Sequence, residues 1–152
     1  TAVSRWLPVG AASAQVIYLA GGIAVNHPFE CVYFNFLAGN AEYREHAWPD
    51  DYWGIAYYPA LKELARLTGG DTVAVTVEAY PGTTNMDMLT DTERNPLRLV
   101  KERYEEGFTV ADYAVGYHNF RGETPPHETV YSRKAWGITV TEIWRFNRQP
   151  AQ

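Results

Sequence analysis

The chain has 152 residues, of which 46% are apolar and 20% charged, a composition that fits one folded domain and excludes a disordered protein. Its formal net charge is −5 and no cluster of Lys and Arg occurs, which argues against nucleic-acid binding because phosphate contacts need a basic surface. The one cysteine excludes an intrachain disulfide, and the four histidines show no metal-ligand spacing, so we expect neither a metal site nor another cofactor.

The first predicted element is an apolar helix in residues 1–28. No Asp, Glu, Lys or Arg stands between Arg5 and Glu30, and the most apolar part of this run extends from Leu7 to Val25. A membrane-spanning helix needs about 20 predominantly apolar residues, and this run has that length. It therefore predicts a membrane segment or anchor that contacts lipid or other transmembrane helices. The alternative is a buried helix or strand of a soluble core.

Residues 29–152 are predicted to form one α/β domain. The segment 29–39 (FECVYFNFLAG) is rich in β-branched and aromatic residues, which predicts a short strand or extended segment with Cys31 buried in it. The polar segment 40–51 (NAEYREHAWPDD) predicts a loop. YYPALKELARLTGG is the clearest helix, since a glycine pair ends it and one apolar stripe follows the helical repeat: Leu61, Leu64, Ala65 and Leu67.

The rest of the chain alternates between strands and helices. DTVAVTVEAY predicts a buried strand, 81–95 a loop, PLRLVKERYEEGF a second helix and 112–120 a further strand. TVYSRKAWGITVTEIWRF predicts two strands joined by a tight connection near 134–137. Apolar Ile138, Val140 and Ile143 alternate with polar Thr139, Thr141 and Glu142, which predicts a half-exposed hairpin at the sheet edge with the polar set facing solvent. The predicted fold is α/β: a small three-layer-like domain with a mixed sheet of about four to five strands and two main helices, preceded by the apolar helix.

The only carboxylate pair that suggests chemistry is Asp50 and Asp51, which are followed by Tyr52 and Trp53. Carboxylates can accept hydrogen bonds from sugar hydroxyls, and a Trp ring can stack on a pyranose face. The same residues can instead cap the start of a helix and pack behind it. The chain contains no phosphate-binding loop, no dinucleotide-binding turn and no nucleophile elbow.

Two segments, HPFECVYFNFLAGN and DDYWGIAYYPALKEL, resemble the C-terminal end of bacterial polytopic glycosyltransferases of the dolichyl-phosphate-mannose-protein mannosyltransferase-like type. VADYAVGYHN resembles a later strand of that family and VYSRKAWGITVTEIWRF its closing hairpin. The likeness covers residues 26–146, and the chain departs from the pattern at Asn40, where a second glycine is usual, and in an insert around 83–95. The matching motif residues are His27, Pro28, Val32, Tyr33, Phe34, Asn35, Gly39, Asp51, Tyr52, Trp53, Gly54, Ala60 and Leu61.

The resemblance implies that the apolar run is a last spanning helix, after which the chain continues on the extracytoplasmic, periplasmic side. The family transfers sugars from polyprenyl-phosphate donors, with catalytic carboxylates in an early loop that has no counterpart in these residues. We therefore expect a non-catalytic extracytoplasmic domain, whose candidate ligand- or partner-binding residues are Asn35, Asp50, Asp51, Tyr52 and Trp53. Two alternatives stay open: a single-span accessory subunit of a membrane protein complex, and a soluble carbohydrate-active or carbohydrate-binding domain that uses Asp50 and Asp51.

Overall fold

The computed structural model describes residues 2–33, 36–47, 54–78, 80–100, 107–116 and 126–146. Its helices are α1 (Ala2–Asn26), α2 (Ala41–Ala47), α3 (Tyr57–Leu67), α4 (Tyr80–Asp87) and α5 (Asp91–Arg94), with short 3-10 turns at Glu30–Val32 and Phe36–Ala38. Its strands are β1 (Val73–Val77), β2 (Leu97–Leu99), β3 (Tyr113–Gly116), β4 (His127–Ala135) and β5 (Ile138–Phe146). These elements confirm the predicted α/β class with an apolar N-terminal helix.

The five strands form one mixed sheet in the order β2-β1-β3-β5-β4. β1 runs parallel to β2 and β3, while β5 runs antiparallel to both β3 and β4. Gly116 at the end of β3 lies opposite Glu142, so the first residues of β5 continue past the carboxyl ends of the parallel strands. The hairpin that joins β4 to β5 therefore projects beyond this edge of the sheet.

The main core lies between α3 and one face of the sheet. The buried helix residues recur at intervals of three and four, which is the spacing of one helix face: Tyr57, Ala60, Leu61 and Leu64. They pack with Val75, Val115 and Ile143 from three neighbouring strands. The predicted stripe is right at Leu61 and Leu64 but wrong at Leu67, which is 42% exposed because it lies in the final turn, past the edge of the buried face.

Two smaller clusters extend the core. One, on the opposite face of the sheet, contains Phe108, Ala114 and Trp144, and Phe108 also stacks near Phe146, with ring centroids 5.3 Å apart. The other contains Phe29 with residues near the β4–β5 turn, among them Ala135, Ile138 and Val140. The sheet is thus covered on both faces, and its turn end has a core of its own.

The strand predicted for 29–39 is wrong at Glu30–Val32 and Phe36–Ala38, which form 3-10 turns, whereas Tyr33, directly after the first turn, has extended backbone. Phe29 and Val32 are both buried, and their spacing of three suits a 3-10 turn, where side chains at i and i+3 share a face. Cys31 lies between them and is exposed, so the prediction of a buried cysteine is also wrong.

The loop predicted for 40–51 is helical in its first half, as α2. The side chain of Asn40 accepts a hydrogen bond from the backbone N–H of Tyr43, 2.8 Å away. This is an N-cap contact, and the residues of α2, AEYREHA, form helices readily. The N-cap residue was visible in the sequence, but the polar composition of the segment favoured the prediction of a loop.

Two predictions for the stretch between β1 and β3 are corrected by the structure. The loop predicted for 81–95 contains α4 and α5, and α5 begins with a reciprocal capping box between Thr90 and Glu93. The helix predicted for 96–108 is wrong at its start, where Leu97–Leu99 form a strand that pairs in parallel with β1, and its residues 101–106 lie outside the described residues. Pairing with the open edge of β1 satisfies backbone hydrogen bonds and buries Leu97, which outweighs the helical spacing of its apolar residues.

The C-terminal hairpin is confirmed, with one correction to its position. β4 forms the edge of the sheet, whereas β5 lies between β3 and β4 and is buried on both sides. Thr139 and Thr141, predicted to face solvent, are buried, and the Thr141 hydroxyl donates to the Gly116 carbonyl at 2.9 Å. The alternation of apolar and polar residues in the sequence does not show that a threonine is buried when its hydroxyl makes a hydrogen bond inside the protein.

Candidate membrane anchor and the cleft beside it

Helix α1 is long and apolar enough to cross a membrane, by length and composition, over Trp6–Asn26. It is the one such helix among the described residues, and none of its most apolar window is buried inside the protein. Ile17, near its middle, is 72% exposed. The alternative of a buried core helix is therefore contradicted, and α1 leaves a long apolar surface without protein cover.

The domain holds the C-terminal end of α1 through the tip of the β4–β5 hairpin. The backbone N–H of Trp136 donates to the side-chain oxygen of Asn26 at 2.7 Å, and its indole N–H donates to the Phe29 carbonyl at 3.2 Å. The Asn26 amide nitrogen in turn donates to the Gly22 carbonyl at 2.9 Å. One asparagine therefore joins the last turn of α1 to the hairpin.

Close packing accompanies these hydrogen bonds. A Cβ atom at Gly22 would collide with the Trp136 indole, so a larger residue fits there only if the indole shifts. The Tyr33 ring meets the same indole edge-on, with centroids 4.6 Å apart. Trp136 takes a positive φ of 52°, and Gly137 follows with 82°, the signs of a two-residue I′ hairpin turn. A bulky residue rarely adopts this backbone, and here its indole is held at three points.

Two polar side chains just after α1, those of His27 and Glu30, contact each other. The Glu30 carboxylate lies 2.6 Å from Nδ1 of His27. The pKa of Glu30 is held below its ordinary value of 4.5, first by a backbone hydrogen bond and then by the His27 side chain. Trp and Tyr beside polar groups at the end of an apolar helix are the residues that membrane–water interfaces favour.

A cleft of about 520 Å³ opens beside this junction, within the size range of ligand sites. Edge strand β4 contributes two half-buried polar side chains, Tyr131 and Arg133, and the Arg133 guanidinium lies 5.5 Å from the centroid of the Phe29 ring. Burial raises the pKa of Tyr131, which Arg133 opposes and Glu63 assists, so its hydroxyl stays protonated at neutral pH. The remaining lining residues are Pro28, Gly54, Ile55, Tyr58, Pro59, Asn85 and Met88.

A second, wider cleft of about 700 Å³ lies along the outer face of α3. Its charges pair with one another: Lys62 lies 3.0 Å from Glu93, and Arg66 lies 2.5 Å from Glu63. Glu93 also belongs to the capping box of α5. These groups have a structural use, since the Lys62–Glu93 pair joins α3 to α5 and the Arg66–Glu63 pair lies within α3.

The predicted site residues Asn35, Asp50, Asp51, Tyr52 and Trp53 lie outside the described residues. Their sugar-binding and capping roles both stay predictions. Over the described part of the chain, no group of His, Cys, Asp and Glu could hold a metal ion.

Sequence reasoning missed the residues that form the junction and the cleft, chiefly Trp136, Tyr131 and Arg133. One signal was present: the hairpin turn reads Trp136–Gly137, where Asn or Gly is usual at the first position. The contacts with Asn26 and Phe29 join residues more than one hundred positions apart, which no local pattern could reveal.

Comparison with known proteins gives no relative: no family model, no curated protein and no solved structure matches this chain. The anchor, the junction and the cleft are thus the features on which function can be argued.

Proposed function

We propose that this chain is a membrane-anchored, extracytoplasmic α/β domain that does not catalyse a reaction by itself. One observation carries the proposal: α1 is long enough to span a bilayer, is unburied, and is joined to the domain by the Trp136 tip at its C-terminal end. An apolar helix left in water would lose roughly 25 cal/mol for each Å² of apolar surface that a bilayer would cover. The tip then holds the sheet domain at the membrane surface.

The likeness to the C-terminal end of polytopic lipid-linked-sugar glycosyltransferases supports the extracytoplasmic side and a place at the end of such an enzyme. In this proposal α1 is the last spanning helix, and the catalytic carboxylates belong to another part of the enzyme. The domain's contribution is to position or contact other parts of the assembly at the periplasmic surface.

A second candidate is a single-span accessory subunit of a membrane protein complex. Gly10 and Gly21 of α1 have no atom near the position of a Cβ, so both present bare backbone at the helix surface. Small residues of this kind let membrane helices pack closely. In that case α1 binds the helices of protein subunits as well as lipid.

Anchoring and sidedness can be tested with the full chain expressed in bacteria. We expect it to float with membranes and to resist carbonate extraction. Cys31 is the one cysteine and is exposed, so a membrane-impermeant maleimide should label it in intact spheroplasts. Cys31→Ser is the control for specific labelling. Labelling only after lysis would contradict the extracytoplasmic side, and a fully soluble chain would contradict the anchor.

The purified chain in detergent should show no glycosyl transfer from polyprenyl-phosphate sugars and no sugar hydrolysis. The proposal assigns the catalytic carboxylates to another part of the enzyme. Robust turnover by this chain alone would overturn the non-catalytic assignment while leaving the anchor intact.

A further inference from the structure

We propose that the cleft beside α1 binds the phosphodiester headgroup of an anionic membrane lipid, with Arg133 as the phosphate-binding cation. The inference rests on the proposed function, since the lipid comes from the bilayer that α1 crosses. It adds to that function a defined lipid site on the domain itself.

Position is the first argument. The 21 residues of Trp6–Asn26 rise about 31 Å as a helix, which matches the roughly 30 Å hydrocarbon core of a bilayer. Asn26 therefore lies where the core meets the headgroups. Pro28 and Phe29, the second and third residues after it, form one wall of the cleft. A chain of three residues reaches at most about 11 Å, so this wall lies at headgroup depth.

The chemistry of the lining is the second argument. Among the described residues Arg133 has no carboxylate partner, and its guanidinium lies 5.5 Å from the centroid of the Phe29 ring. The planar guanidinium matches two phosphate oxygens, and the protonated Tyr131 hydroxyl can donate a further hydrogen bond. The Asn85 amide is already used, since it donates to Gly54 and Pro81 carbonyls at 3.3 and 2.7 Å.

The apolar part of the lining fits the rest of a lipid. Ile55, which is half-buried, and Met88, which is 63% exposed at the rim, give the cleft an accessible apolar surface. Such a surface can contact the glycerol and the first methylenes of an acyl chain. Inorganic phosphate or a free phosphate ester would leave this apolar surface uncovered, which favours the lipid as the source of the phosphate.

The distribution of charge favours an anionic headgroup that is bound through Arg133 and not by the protein surface in general. The net charge of −5 gives the chain no general attraction to an anionic bilayer, so selectivity must arise at Arg133. A choline headgroup would bring its own cation close to the guanidinium. Phosphatidylglycerol offers the phosphodiester without that cation and is the probe of choice.

The test uses the full chain in nanodiscs that contain phosphatidylglycerol with a photoactivatable group on its headgroup, so that acyl-chain contacts with α1 do not contribute. We expect cross-links to map to the cleft and to decrease about tenfold or more in Arg133→Gln, the loss of one charge-assisted hydrogen-bonding group. Lys134→Gln removes the same charge from the next residue, which does not line the cleft, and should change labelling less than about twofold. Equal labelling of both variants, or labelling mapped elsewhere, would overturn the proposal.

A second pair of variants keeps the test independent of any folding defect in Arg133→Gln. Met88→Glu places an acid on the exposed rim and should reduce cross-linking, whereas Met88→Gln should retain it. Equal cross-linking by a photoactivatable phosphatidylcholine, or competition by inorganic phosphate, would overturn the anionic-lipid assignment. If the chain fails to enter the membrane, the proposed function fails, and the cleft is then tested with a soluble short-chain phosphatidylglycerol. Cleft labelling there supports the site, and its absence overturns it.

Discussion

Helices α1 and α3 reverse the usual relation between hydrophobicity and burial. α1 carries apolar residues around its circumference and buries none of its most apolar window in the protein. α3 is far more polar, yet it buries one complete face against the sheet, with Leu61 and Leu64 inaccessible to solvent. Periodicity, not total hydrophobicity, decides which helix enters the core. A helix that is apolar on every side has no polar face for water and suits an apolar solvent.

The largest expected effect is on the free energy of unfolding, which should depend on residues of α3 and not on those of α1. Leu64→Ala should lower the free energy of unfolding by about 2–5 kcal/mol, since it leaves a cavity in the main core. Ile17→Ala in α1 should change it by less than about 0.5 kcal/mol, because that side chain contacts no core. Denaturant unfolding of the domain in detergent measures both. A large loss of stability in Ile17→Ala would show that α1 packs on protein and would contradict the contrast between the two helices.

Insertion into membranes should show the opposite sensitivity. Ile17→Lys should cost about 3 kcal/mol of insertion free energy, because it places a cation near the centre of the apolar run. Leu67→Lys, on the exposed last turn of α3, should leave insertion unchanged. Flotation of the two variants checks this. Unchanged membrane association of Ile17→Lys would remove α1 as the anchor.

The junction offers a matched pair of neighbouring glycines. Gly22→Ala should destabilise the junction by about 1–3 kcal/mol, because the new methyl group collides with the Trp136 indole. Gly21→Ala meets no atom and should be harmless. The amide of Trp136, bonded to Asn26, reports the effect: its hydrogen exchange should accelerate only in Gly22→Ala. Similar exchange in both variants would mean that the domain is not held by this contact.

The smallest effect concerns the ion pairs and cap on the outer side of α3. The pKa of Glu93 is lowered from 4.5, first by the Thr90 backbone, then by the side chains of Lys62 and Thr90. Its contribution to stability is therefore complete above pH 4.5 and is lost as the pH decreases through the lowered pKa. Thr90→Ala removes the hydroxyl that hydrogen-bonds to Glu93, should cost about 1 kcal/mol at neutral pH and should weaken this acid dependence only in part, because the residue 90 backbone N–H still donates to Glu93. Unfolding midpoints measured across that pH range check it, and an unchanged acid limb would assign the dependence to another carboxylate.

The sequence by itself determined the elements whose signal is local. The uncharged run predicts α1, the spacing of Leu61 and Leu64 predicts α3, and the short β-branched segment around Val75 predicts β1. A turn signal at Gly137 places the closing hairpin. Each of these depends on residues within about a dozen positions, where periodicity and turn chemistry act directly.

Only the tertiary structure decided which strands pair and which residues form the junction and the cleft. Leu97 lies in a strand because that segment pairs with the edge of β1. Thr141 can be buried because its hydroxyl donates a hydrogen bond to the Gly116 carbonyl. Trp136 reached the end of α1 because the hairpin extends past the parallel strands. That extension also places β4 residues beside the chain that leaves α1, which forms the cleft. Contacts between residues so far apart follow from strand order and register, and a single sequence does not encode either in any local pattern.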